Sequence, residues 1–431
     1  MSINARKWII KNVVSVFFDI YTVTIKENGG FRIMKPIENR LIFKISLLSI
    51  SLFLMMAPQI SSALPLMYQA FPGVNQSSVE MLSTIPNFGI IAGLVISPIL
   101  IRLIKQKHTV LVGLMVTLLA GTAPLYLTSY LPILFSRFLL GVGIGLFNSL
   151  AVSLLPKFYK DSEEQLATML GFQNVMGAIG AAISSFLVGY LVTISWHAAF
   201  AIYLLVIPAF ILFYVFIPND SATQIKHSIS KGHASATRLN AKVILIAALM
   251  FIIFTFYMPM AYKLPVLITQ EGLGTLPQAA FLAGISSLLG IPLGASFGYF
   301  FKKLHDKIFP IGFGLVAIGF FVLFSAVHLV MVFIAMVIIG FGFGLGVPYM
   351  YNWLAWAAPE KAMNLATTLV LVMVNIGCFI SPYLLNWLTA IFGQNTPRMT
   401  MLVSTVAFGV ISIYALFHYI NVHRLAGVRK S

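Results

Sequence analysis

Residues 329–346 read LVMVFIAMVIIGFGFGLG. No charge interrupts this run, and it continues to about Leu354, longer than the roughly 20 residues a helix needs to cross hydrocarbon. Its glycine-alternating end, Gly340-Phe-Gly342-Phe-Gly344-Leu345, repeats an earlier stretch, Gly141-Val-Gly143-Ile-Gly145-Leu146. A second pair repeats at nearly the same offset. Gly93 and Gly113 bracket the basic turn Arg102-Leu103-Ile104-Lys105, and Gly294 and Gly314 bracket Lys303-Leu304-His305-Asp306, each glycine 201 residues later. A shared offset of this kind points to a duplicated unit.

Working outward, about twelve apolar runs of spanning length appear. Their approximate extents are 42–68, 79–101, 109–128, 132–155, 166–193 and 198–217, then 243–268, 276–301, 308–327, 329–354, 364–391 and 397–420. The composition leaves little choice of solvent: 59% of the 431 residues are hydrophobic and 9% charged, with mean hydropathy +0.96. A water-soluble globule needs more polar surface than that. In lipid every backbone N–H and C=O must be paired, which leaves helices or a closed barrel, and continuous runs without period-two alternation select helices.

The net charge of +16 is a matter of topology rather than nucleic-acid binding, because Lys and Arg collect in the connectors on one side. These are Lys35 and Arg40, Arg102 to Lys107, Lys157 and Lys160, Lys226 to Lys242, Lys302 to Lys307, Lys361, and Arg424 to Lys430. The positive-inside rule then puts both termini in the cytoplasm of a multi-pass protein of the cell membrane. The expected organisation is a cytoplasmic N-terminal segment (1–41), a six-helix bundle (42–217), a polar Ser-rich linker (218–242), a second six-helix bundle (243–420) and a cytoplasmic tail (421–431). Trp8 to Ile25, interrupted by Lys11, Asn12 and Asp19, reads as an interfacial helix. Alternatively translation starts at Met34, with Gly29-Gly30 encoded by a ribosome-binding GGAGG. The single Cys378 supports no intrachain disulfide or Cys-based metal site, and no cofactor is expected.

Arg137-Phe-Leu-Leu-Gly141-Val-Gly143-Ile-Gly145 resembles the fourth-helix motif of the major facilitator superfamily, and the likeness extends over the chain from about Arg40. The stretch from Gly93 to Lys107 resembles that family's loop between helices two and three, with Ser97 where Asp is usual. Trp196-His197-Ala-Ala-Phe200 resembles its Trp-Arg-x-x-Phe lead-in to helix six, with His in place of Arg. The Gly-Pro pair of its drug/proton antiporters is missing from Gly177-Ala-Ile-Gly180. Asn174 to Gly189 and Asn375 to Pro382 resemble the cyanate-permease branch. The resemblance implies twelve transmembrane helices in two pseudo-symmetric bundles, alternating access, a small-molecule substrate and a proton as candidate coupling ion.

Candidate functional residues follow from the cost of polarity in hydrocarbon. Arg137 lies two turns into a span and is expected either to face a cavity and bind substrate or to snorkel and brace carbonyls. Lys263 is expected to snorkel at the outer end of its helix; turned inward beside Arg137, it would favour an anionic substrate. Glu80 and Glu271 are expected at the outer rim, and with Lys263 they are the candidates for coupling or an outer gate. Gln59, Gln173, Asn174, Tyr257 and Asn375 can offer hydrogen bonds to a solute. Gly141 and Gly145, Gly177, and Gly290, Gly294 and Gly298 provide small faces on which helices pack or rock. No nucleotide-binding loop or cluster of catalytic residues appears within the spans. The expected activity is secondary transport of a small solute by a monomer in the lipid bilayer, not an enzyme. An efflux carrier of the same superfamily and a membrane sensor without transport are the alternatives.

Overall fold

The computed structural model describes residues 41–159, 162–219, 240–359, 362–393 and 395–428. The N-terminal segment before Leu41, the linker residues 220–239 and the last three residues lie outside the described residues. Contacts separate Met1–Leu41 from Ile42–Ser431, and the latter unit holds the helical bundles.

The apolar runs form helices in chain order. They are α1 (Leu41–Phe53 and Ala57–Ala70, bent by 52°), α2 (Gln76–Thr122), α3 (Tyr130–Phe158), α4 (Glu163–Leu191) and α5 (Ala198–Phe216). After the linker come α6 (Ala241–Gln270), α7 (Leu276–Leu304), α8 (Ile308–Phe324), α9 (Leu329–Ala357), α10 (Met363–Ile391) and α11 (Pro397–Val428). Among the described residues nine helices are long and apolar enough to cross a membrane, or ten with the bent α1 counted as one. The expected twelve therefore rests on how two reversals are read.

Packing resolves the first. A straight helix of 47 residues would run to roughly 70 Å, more than twice the hydrocarbon core. At Lys105 the backbone leaves helical geometry (φ 68, ψ 168). Before it, Gly89 and Gly93 abut Gly141 and Gly145; after it, Gly113 and Thr117 meet the α3 stretch Gly143–Phe147 from another side. Both arms of α2 thus flank one stretch of α3, so the chain doubles back at Lys105. In the second half His305 (φ 47) breaks the chain between α7 and α8. Both are L-residues in a region that costs of order 1–3 kcal/mol, at matching turns of the repeat.

The glycines make the close contacts of the first bundle. A Cβ on Gly141 would fall onto the Pro86 carbonyl, and one on Gly145 onto that of Ile90. Gly177 is looser, with Met55 Sδ 3.6 Å from where its Cβ would be, whereas Gly290, Gly294 and Gly298 have nothing within 4 Å and are exposed. The small face on α7 is therefore not packed in this conformation, a correction to the helix packing expected on it. These helices touch nearer their other end, where a Cβ on Gly189 would lie 3.1 Å from that of Ala280. Phe186 and Phe281 rings are 5.4 Å apart there. Gly141→Leu is accordingly expected to abolish the monodisperse peak in detergent chromatography, while Gly294→Leu leaves it unchanged.

The halves also share a brace. His197 Nδ1, at the start of α5, lies 2.7 Å from the Pro124 carbonyl at the end of α2's second arm. Arg398, at the start of α11, donates through Nη1 and Nη2 to the carbonyls of Phe324 and Ala326 at 2.7 and 2.9 Å. Each closes the orphan carbonyls of a helix C-terminus.

Candidate functional site: a buried ion pair between the bundles

Two irregularities bring the site together. Asn75 caps α2, accepting a hydrogen bond from the Ser78 N–H at 2.8 Å, so that Glu80 falls in the helix's second turn. In α6, Pro259 and Pro265 divide the helix into Ala241–Tyr257, Pro259–Tyr262 and Leu264–Gln270, with Lys263 at the last junction. Prolines remove backbone donors and break helical regularity.

Lys263 Nζ meets Glu80 Oε1 at 2.6 Å, and neither side chain has any exposed surface. Oε1 also accepts from Tyr68 Oη at 2.7 Å and Gln76 Nε2 at 3.1 Å. Asn386 of α10 serves both charges: its Oδ1 accepts from Lys263 at 2.7 Å, and its Nδ2 donates to Glu80 Oε2 at 2.7 Å and Ser77 Oγ at 3.0 Å. Taking an ion pair out of water costs several kcal/mol per ion, repaid only when geometry is good and remaining lone pairs are filled. Both carboxylate oxygens here are filled.

The expected rim position of Glu80 and the snorkelling of Lys263 are thus corrected. Each is the other's counterion, which lets both remain buried. Because Glu80 belongs to the first bundle and Lys263 and Asn386 to the second, the cluster ties the bundles together at the end away from the basic turns. More contacts extend the seam. Ser78 Oγ lies 3.0 Å from Tyr383 Oη, Thr84 donates to the Phe379 carbonyl at 3.3 Å, and Phe88 stacks on Phe379 at 5.1 Å.

Glu271, also a gate candidate, instead meets Arg398 at 2.8 Å, partly exposed and wholly inside the second bundle. Arg137 is fully buried. Its Nε donates to the Leu82 carbonyl at 2.9 Å, its Nη1 to Tyr203 Oη at 2.6 Å and its Nη2 to the Ala57 carbonyl at 2.6 Å. The first acceptor is free because residue 86, whose N–H would reach Leu82 in a regular helix, is proline. The Phe200 and Tyr203 rings lie 5.7 and 5.6 Å from its guanidinium carbon. Here Arg137 is a brace within the first bundle and not a residue a solute can reach, which corrects its expected place in a substrate site.

The neutral polar candidates are not brought together by hydrogen bonds to one another. Gln59 accepts from Ser185 Oγ at 2.6 Å and donates to the Met55 carbonyl, within the first bundle. Asn375 Nδ2 donates to Leu371 on its own helix at 2.8 Å, and Tyr257 stacks on Phe343 at 3.7 Å. Gln173 is buried and Asn174 exposed. Sequence reasoning missed Tyr68, Gln76, Asn386 and Tyr203. The available signal was a polar residue near the end of an apolar run, as at Asn386, but its partner lies 306 residues away.

Comparison with known proteins agrees with this architecture. Among curated protein sequences none matches the chain. Among solved structures, a peptide transporter POT in complex with sulfate is 14% identical, with 89% of this chain and 95% of that one covered and a TM-score of 0.69. A variant of the nucleoside transporter NupG is 11% identical, with 88% and 99% covered and a TM-score of 0.73. The inward-open xylose transporter XylE from E. coli is 14% identical, with 87% and 95% covered and a TM-score of 0.67. The narrower likeness to the cyanate-permease branch finds no counterpart in these three. The family model described as Major Facilitator Superfamily matches residues 45–382, and the chain belongs to that superfamily.

Proposed function

We propose that the protein is a secondary transporter that carries a small solute across the cytoplasmic membrane by rocking its two bundles about a site between them, with Glu80–Lys263 as the outer latch. One contrast carries this reading: the bundles are joined through a buried ion pair at one end, while Gly290, Gly294 and Gly298 stand free toward the other. With the basic connectors inside, this is an inward-facing arrangement. Gln59, Gln173, Asn174, Tyr257 and Asn375 are the proposed solute contacts, and Arg137 supports the wall behind them. A proton is the proposed coupling ion. The proposed point of coupling is the Glu80–Lys263 pair, because neutralising either partner leaves the other buried without its counterion. Anionic substrates fit this scheme only once the pair has parted and Lys263 faces the cavity.

Gly294→Leu would then stop the inner closure without affecting folding. The direct test is the double variant Gly189→Cys/Ala280→Cys, whose Cβ atoms would be near disulfide range. Reconstituted vesicles offered a panel of labelled sugars, nucleosides, dipeptides and organic anions should lose uptake on oxidation and recover it with dithiothreitol. Full-rate uptake by verified cross-linked protein would show that the bundles do not part there.

A further inference from the structure

We propose that a cavity at the basic end of the second bundle binds a zwitterion, an ammonium a few bonds from an anionic oxygen, as in phosphoethanolamine. The cavity holds about 320 Å³, and its lining includes Lys242, Asp306, Tyr349, Trp353, Trp356 and His418. Every lining residue comes from the second bundle, so this is not the space between the bundles in which alternating access operates.

The break at His305 places Asp306 against the end of α9, where Tyr349 Oη donates to Asp306 Oδ1 at 3.1 Å. Among the described residues the carboxylate has no ion pair and accepts no other side-chain hydrogen bond. Carboxylates have room for several donors. Lys242 is exposed at the start of α6 and likewise forms no ion pair among the described residues. Two opposite charges therefore line one cavity and, among the described residues, are not paired with each other.

Much of the remaining lining is aromatic. Phe309 stacks on Tyr349 at 5.5 Å, Trp353 and His418 are 4.7 Å apart, and Tyr349 and Trp356 meet edge-on at 6.1 Å. Ring faces attract an ammonium, most strongly where a carboxylate is near. A simple cation entering here would meet Lys242, and a simple anion would meet Asp306. A zwitterion presents its ammonium to Asp306 and the rings and its anionic oxygens to Lys242 and His418, so both charges gain a partner together.

This chemistry has two sources, a free zwitterion or a lipid head group, and Trp356 at the rim is 58% exposed. The test uses the full chain purified in detergent and stripped of lipid. Phosphoethanolamine is titrated by tryptophan fluorescence, and in a separate arm phosphatidylethanolamine and phosphatidylglycerol are compared by native mass spectrometry. Binding of free phosphoethanolamine assigns a soluble ligand; selective retention of phosphatidylethanolamine alone assigns the head group. Either is expected to weaken at least tenfold in Asp306→Asn, which keeps the Tyr349 hydrogen bond, and to weaken in Trp356→Ala and Lys242→Ala. Absence of both forms of binding, or binding unchanged by Asp306→Asn and Lys242→Ala, would overturn the proposal. Because the readout is binding, it stands or falls independently of transport.

Discussion

Replacing Lys263 by methionine is expected to open the sealed end of the protein. The substitution leaves Glu80 ionised and buried with Tyr68, Gln76 and Asn386 as its remaining partners. Removing one member of a buried pair costs about 3–5 kcal/mol. In most proteins that penalty appears as unfolding. Here the orphaned charge can be hydrated by separating the bundles, so the cost falls on the closed conformation. A bias of about 3 kcal/mol changes a two-state population by more than a hundredfold.

A cysteine at Thr84, buried in the seam against the Phe379 carbonyl, reports the change. Its labelling by an impermeant maleimide should be slow in the parent and fast in Lys263→Met and Glu80→Gln, with the double variant in between because no charge is left unpaired. Equal labelling across all four proteins would remove the latch.

The second large effect concerns Arg137. Arg137→Met strips donors from two backbone carbonyls and Tyr203 at once. An unsatisfied buried polar group costs about 1–3 kcal/mol, so the sum is about 3–5 kcal/mol after relaxation. Since all the partners lie in the first bundle, the loss should appear as a lowered melting temperature and not as altered labelling at position 84. Arg137→Lys should recover little, because an ammonium cannot span three divergent acceptors. Pro86→Ala is expected to return about 1 kcal/mol to Arg137→Met by restoring an N–H for Leu82. A well-folded Arg137→Lys protein with a raised KM for a transported solute would instead return Arg137 to the substrate site.

These residues also show where reading from the chain stops. Both Glu80 and Lys263 stood out as charges near helix ends, and each alone is most economically placed at the rim. What alters the reading is that their helices belong to different halves and meet at the same depth. The same holds for Arg137: its depth was legible, but the vacancy at the Leu82 carbonyl becomes its partner only when α3 packs on α2. Gly290, Gly294 and Gly298 have the spacing of a packing face yet are unpacked, because spacing describes a surface and not the conformation that covers it.

Hydropathy, charge placement and the offset repeat determined that this chain is a helical membrane protein of two related bundles. Those features depend on solvent, and hydrocarbon acts on each segment independently of its distant neighbours. Which charges neutralise one another, which end carries the buried contacts between the bundles and where a cavity forms in the second bundle were decided by the tertiary structure alone. Pairing energies depend on distances between residues hundreds of positions apart, and only the packed bundles set those distances.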